Sequence, residues 1–468
     1  MRQLWETRRL RLHGPLDHLG RDAGRPGYAA NAIYGLADYL TLPIGMLLSA
    51  SFLLRHLGTA PYGVWILASA AVSSGGIVSG GFGDAVIKYV GECRGRGDWS
   101  GIRRIIRNMI SINLTLSSIL AAILWCLAPL VTRHVLKDDF KLQTTCLVSL
   151  RIGSGLLFVK SVESVFISTL RAFETYGATV RIATCSRIAI LAAAIALAGY
   201  GRNVVWIMCA TLFFSVSGML AQALALRSRI GAFSSLPSWH KKTAADITSF
   251  GTFSWLQAIS GVIFSHIDRF LVGFFIGAPS VAYYGLCVQA AQPIHGLISS
   301  GMHFLFPHLS ARYSVSPITE IRRKVALAIK INILLVSILS VPVAVFGKYI
   351  LTIWIGSAFA RQPQAMFPII VCSFALLGLN VSAHYALLAV GQVRVLTFIN
   401  LFAGVSMLLL MALLIPRHGL QGAALARLVF GPITCLAYWQ VYRAIWGVET
   451  QTLIPQSPIY TVTVAETK

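Results

Sequence analysis

Charge is scarce in this chain. Only 12% of its 468 residues are charged, and just 16 are Asp or Glu. So little charge beside 56% hydrophobic residues and a mean hydropathy of +0.72 excludes a water-soluble globule, which could not bury that much apolar surface. No G-x-x-x-x-G-K-[ST] segment is present, so nucleotide phosphates are not cradled by that route. The eight cysteines include no C-x-x-C pair and fall mostly in apolar runs, which makes them packing residues and neither a disulfide framework nor a metal site. The alternating short strands of a membrane barrel are missing too. Connections between the apolar runs are mostly short, which leaves no room for a soluble catalytic domain.

What remains is a lipid-embedded helical bundle. A helix needs ~20 mostly apolar residues to cross a ~30 Å hydrocarbon core. About twelve such windows follow one another, centred near Pro43, Ser74, Leu120, Val159, Leu191, Thr211, Gly261, Gln292, Ile338, Phe374, Val405 and Ile433. The formal net charge of +23 would suggest nucleic acid in a soluble protein. Here most Lys and Arg outside the windows lie at the chain ends and in the even-numbered loops, which predicts that both termini are cytoplasmic and excludes nucleic acid as the partner. Clusters such as Arg94 to Arg107 and Glu320 to Lys324 read as anchors beside anionic lipid headgroups.

The chain repeats itself. "IRRIIRNMISINLTLSSIL" from Ile102 aligns without gaps on "IRRKVALAIKINILLVSIL" from Ile321, a shift of 219 with 10 of 19 positions identical. "HLGTAPYG" recurs as "FIGAPSVAYYG", and the segment near Gly201 parallels that near Gly419. The predicted organisation is a basic N-terminal segment 1–30, a first lobe 31–228, a linker 229–246, a second lobe 247–447 and a polar tail 448–468. Six windows per half make this a parallel repeat, all-α, with a substrate path between the halves and alternating access about it. The glycine-rich run Ser73 to Gly83 predicts either close helix packing or a hinge.

Charges inside the windows are the candidate site. Asp268 and Arg269 are helical neighbours pointing about 100° apart, so they cannot satisfy each other, and each needs another partner or water. An intramembrane charge costs at least ~2.5 to 3.5 kcal/mol, so it marks either a functional site or a structural ion pair between helices. His266 reads as a packed or hydrogen-bonded ring. Lys160 and Glu163, three apart on the fourth window, share a face and are expected to interact. Lys88, Arg187, Lys330 and Arg427 are further cations expected to face a wet interior, whose positive excess favours an anionic passenger, phosphate in particular.

Two stretches then resemble a known family. "LGTAPYGVWILASAAVSSGGIVSGGFGDAVIKYVGECRGRGDW" from Leu57 and "HIDRFLVGFFIGAPSVAYYGLCVQ" from His266 are similar to the signatures of polysaccharide-biosynthesis flippases, with "LRAFETYG" from Leu170 as the link between the fourth and fifth helices. That Wzx-type branch belongs to the multidrug/oligosaccharidyl-lipid/polysaccharide exporter superfamily. The resemblance implies two six-helix lobes in a V around a central cavity. It also implies a bacterial inner-membrane protein, acting as a monomer, that moves an undecaprenyl-pyrophosphate-linked glycan to the outer leaflet. Polysaccharide polymerase or glycosyltransferases are the implied partners, and no cofactor is implied. Asp268 and Arg269 match the family's Asp-Arg positions; Asp84 stands later than the acidic residue many relatives carry. A cation-coupled antiporter of the same fold, with Asp38 as its carboxylate, is the alternative. A membrane polymerase or ligase is a third, disfavoured by short odd-numbered loops.

Overall fold

The computed structural model describes residues 45–447, except 138, 174, 232–236, 241–254, 258, 303–304, 306–308 and 310–316. Every described element is helical. In the first half these are α1 (Gly45–Leu57), α2 (Thr59–Ser73), α3 (Gly76–Gly95), α4 (Trp99–Val135), α5 (Phe140–Ala172), α6 (Tyr176–Gly199) and α7 (Val204–Ile230). In the second they are α8 (Trp255–Ile276), α9 (Ala278–Met302), α10 (Ile318–Val345), the short α11 (Gly347–Ile355), α12 (Phe367–Ala389) and α13 (Val393–Leu428). Helix α13 runs on in shorter helical pieces to Trp446. Among the described residues eight helical stretches are long and apolar enough to cross a membrane.

Three of the predicted windows take a form that periodicity does not reveal. The second is two helices, α2 and α3, separated at Ser74 and Gly75 inside the glycine-rich run. The eleventh and twelfth are joined by a sharp turn at Gly419, whose left-handed φ of 55° an L side chain resists. A Cβ on Gly422 would sit 2.3 Å from the carbonyl oxygen of Leu414. A continuous helix would separate those residues by about 12 Å, so the chain doubles back.

The repeat is visible in hydrogen bonds as well as in letters. Asn113 on α4 donates to the Ser161 carbonyl at 3.0 Å and to the Ser164 hydroxyl at 3.2 Å on α5. Asn332, 219 positions on, donates from α10 to the Leu379 carbonyl at 2.7 Å and the Ser382 hydroxyl at 3.3 Å on α12. In lipid, where no water competes, such amides lock neighbouring helices. Gly58 and Gly277, also 219 apart, both open their helices with left-handed φ, 82° and 87°. That register supersedes the looser pairing of the two Tyr-Gly motifs.

Apolar side chains cover the bundle surface because lipid is its solvent. Ile119, Ile123, Leu127 and Leu130 form one exposed stripe on α4; Phe398, Phe402, Leu409 and Leu413 form another on α13. Packing between the halves gathers at the end where α1 meets α2, α4 meets α5 and α8 meets α9. There a Cβ on Gly63 would lie 1.9 Å from the Ala278 carbonyl oxygen, and one on Gly285 would lie 2.7 Å from Ile66. His134 stacks on Phe274 at 4.6 Å, and the Trp354 indole donates to the Leu47 carbonyl at 2.7 Å. Toward the opposite end a separate core of Phe82, Val86, Ile102, Ile106, Leu170 and Leu226 lies within the first half, with Trp255 of α8 packed against it.

Helix α4 starts on a side-chain cap. Asp98 accepts the Gly101 amide at 2.8 Å and the Ser100 hydroxyl at 2.7 Å. The amide first, then the hydroxyl, hold the Asp98 carboxyl below its ordinary value. A value lower in the folded state means that the cap stabilises above the usual carboxylate range and is lost as pH falls through it. Asp98→Ala is therefore expected to lower the melting temperature of the purified protein at neutral pH, with the difference from the parent vanishing in acid. Gly63→Val, which forces a side chain against backbone, is expected to destabilise the junction of α2 and α9 by ~1 to 3 kcal/mol, read as a lower melting temperature at every pH.

Candidate functional site

The charged doublet sits just after a π turn, Ile263–Ile267, in α8. Such a turn widens the helix by one residue and re-aims the side chains beyond it, and it is common at functional sites. Asp268 is fully buried, and its side-chain partners belong to the second half. Its Oδ2 accepts from the Tyr284 hydroxyl of α9 at 2.7 Å and pairs with Nη1 of Arg427 on α13; its Oδ1 accepts the Arg269 amide at 2.9 Å. Arg427 is equally buried and also donates to the Phe264 carbonyl at 3.0 Å. Its guanidinium lies 3.9 Å from the ring centre of Phe264 and 4.7 Å from that of Phe374. This corrects the expectation that Arg427 faces the passage: a guanidinium in a dry interior is held by its carboxylate, and it lines none of the three hollows around the doublet.

Arg269 takes the other direction. Its Nη1 donates to the Ser265 carbonyl and approaches Nδ1 of His266 at 3.0 Å. Among the described residues no carboxylate forms an ion pair with it. It borders a hollow of about 120 Å³ between the halves, lined also by Met46, Ile66 and Ser73 from the first half and by Gln289 and Gln292 from the second. At 1.5 Å per residue, Asp268 and Arg269 lie roughly 10 to 12 Å from the end of α8 at Ile276.

Two larger hollows adjoin this one, each sharing a lining residue with it. Ser73 also lines a hollow of about 300 Å³ in the first half, beside Lys160, Glu163, Ser186 and Arg187. Gln292 also lines one of about 280 Å³ in the second half, walled by α8, α9, α12 and α13. Ser73 and Gln292 are 219 positions apart, so the junctions are equivalent positions of the repeat. The first-half hollow is charged: Lys160 donates to Glu163 at 2.8 Å, and with 38% of its side chain exposed the ammonium keeps an open side. Among the described residues the second-half hollow carries Gln257, Asn380, His384 and Asn400 with Phe264, Phe374 and Phe430, and no Asp, Glu, Lys or Arg.

The expected site residues thus divide. Arg269, Lys160, Glu163 and Arg187 come together around connected hollows. Asp268 and Arg427 form a dry ion pair behind them. Lys330 lies exposed on α10 and lines none of these hollows. Asp38 and the side chains of Lys88 and Asp84 lie outside the described residues. Tyr284 and the amides of the second-half hollow carry no charge, so a search of the apolar windows for charged residues passes them by. The Tyr-Gly motif at the start of the eighth helix was the available signal for Tyr284.

Removing one member of a buried pair leaves an uncompensated charge, a cost of ~3 to 5 kcal/mol. Arg427→Met alone is expected to lower the melting temperature in detergent sharply. Adding Asp268→Asn, which removes the stranded charge, is expected to restore most of the loss. Equal melting of the single and double variants would show that the pair is not coupled.

A family model described as "Polysaccharide biosynthesis protein" matches residues 52–368, well over half of the chain. A protein named "Putative O-antigen transporter" from Shigella flexneri is 22% identical over 410 residues, spanning 85% of this chain and 93% of that one. The fold is shared with lipid II flippase MurJ in an inward closed conformation, at a TM-score of 0.70 and 13% identity over 89% of this chain and 87% of that one. It is shared also with an inward-facing multidrug resistance MATE family transporter of the MOP superfamily, at a TM-score of 0.68 and 15% identity over 89% and 98%. The chain belongs to the polysaccharide biosynthesis protein family and has the fold of membrane transporters.

Proposed function

We propose that the protein moves an anionic lipid-linked oligosaccharide, a glycan on undecaprenyl pyrophosphate, from the cytoplasmic to the outer leaflet for surface polysaccharide synthesis. The observation that carries this reading is the pair of cations, Lys160 and Arg269, set on adjoining hollows that meet between the halves. Ammonium and guanidinium groups replace the hydration of a pyrophosphate, while the prenyl chain stays in the bilayer. The relative named for O-antigen transport and the fold shared with a lipid II flippase support the same substrate class.

In this reading the membrane is the bacterial inner membrane, both termini are cytoplasmic, and the packed junction at Gly63 and Ala278 is the outer gate. The lobes 31–228 and 247–447 rock about the hollows to give alternating access. The antiporter alternative needs a carboxylate free to exchange protons or sodium. Among the described side chains the intramembrane carboxylates Asp268 and Glu163 are each held by a cation.

The test is transport of a fluorescent undecaprenyl-pyrophosphate oligosaccharide in vesicles containing the purified protein. Loss of a charge-assisted contact worth ~1.5 to 3 kcal/mol corresponds to roughly ten- to hundred-fold in rate. Lys160→Gln and Arg269→Gln are each expected to slow transport by that factor, and Lys160→Glu or Arg269→Glu to abolish surface polysaccharide in cells while the protein still inserts. Unchanged transport in both charge reversals would rule out the cationic path.

A further inference from the structure

Resting on the flippase reading, we infer that the second-half hollow is the seat of a neutral sugar unit of the passenger, so that the two halves divide the head group between them. The chemistry of its wall selects the ligand class. None of its described lining residues is Asp, Glu, Lys or Arg, so among these it offers neither a partner for a cation nor the charge that pyrophosphate needs. It is also too polar for a prenyl chain. Its side chains are amides, hydroxyls and imidazoles, groups that both donate and accept as sugar hydroxyls do.

Those polar groups are under-used by the protein. Asn380 is 4% exposed, and its Oδ1 has no hydrogen-bond partner among the described residues. The side chains of Gln292 and Asn400 make no hydrogen bond to any described residue. Gln257 reaches only His384, at 3.5 Å. The unmatched oxygen of buried Asn380 costs free energy that a bound hydroxyl removes, while Gln292, exposed, and Gln257 and Asn400, half-buried, have amides open to a ligand. Phe264, Phe374 and Phe430, packed on one another with Arg427 against the first two, give the hollow an apolar aromatic side that suits the C–H groups of a pyranose. At about 280 Å³ the hollow is near the small end of ligand pockets, ~300 Å³, a size for a sugar unit and not for a long glycan. Gln292 joins it to the hollow that Arg269 borders, which sets the sugar beside the phosphate end of the same molecule.

The experiment compares two lipids in vesicles: undecaprenyl pyrophosphate bearing a short neutral oligosaccharide, and the same lipid without sugar. Asn400→Leu and Gln257→Leu are each expected to slow the glycosylated lipid by about tenfold, the value of one lost hydrogen bond of ~1.4 kcal/mol. The sugar-free lipid is expected to move at the parent rate, and Asn400→Gln, which keeps the amide, to retain transport of both. An equal fall for both lipids, or no fall for either, overturns the sugar seat while leaving the flippase reading standing. If the unaltered protein moves neither lipid, the flippase reading fails and the sugar seat with it. Lys160→Gln serves as the contrast, because it is expected to slow both lipids alike.

Discussion

The ion pair of Asp268 with Arg427 decides how the rest of the site is arranged. In lipid a lone carboxylate or guanidinium is untenable, and the fold places both in full burial with Tyr284 completing the carboxylate's hydrogen bonds. Three helices, α8, α9 and α13, are thereby pinned to one point. With Asp268 committed on that side, the adjacent Arg269 is turned the other way, toward the space between the halves. The π turn beneath the doublet contributes to that divergence, and its carbonyls at Phe264 and Ser265 accept from the two guanidinium groups. Arg427 then backs the aromatic wall of the second-half hollow.

The halves are equivalent in frame and different in lining. Asn113 and Asn332 tie the same pair of helices in each, and Ser73 and Gln292 stand at the same junction of hollows. Yet one flank presents Lys160, Glu163 and Arg187, and the other presents amides and aromatic rings. A duplicated bundle starts with two like pockets; in the proposed reading, divergence of their side chains lets it grip a passenger whose two ends differ chemically. The halves close on each other through small residues, Gly63 on Ala278 and Gly285 under Ile66, contacts that separate without breaking any buried charge. That suits surfaces which part during a transport cycle.

Much of this was legible in the letters. Hydropathy revealed a helical membrane bundle because lipid requires ~20 apolar residues at each crossing. A shift of 219 exposed the duplication, and the helix geometry of neighbouring residues showed that Asp268 and Arg269 need separate partners. Lys160 with Glu163 was readable for the same local reason. The glycine-rich run was readable as close packing or a hinge, and the segment near Gly419 as the connection between the eleventh and twelfth windows; the helix break at Ser74 and the left-handed turn at Gly419 are the forms that the packed chain gives them.

By itself, then, the amino-acid order determined what solvent the chain needs, how many times it repeats its design, and which charges are costly. It could not say which cation answers Asp268: Arg427 stands 159 residues away, and no local periodicity marks it. Only tertiary packing chose between two arginines of like chemistry, burying one in a dry pair and leaving the other beside a hollow. The physical reason is that partner choice depends on distance and desolvation, which are properties of the assembled bundle and of no segment within it.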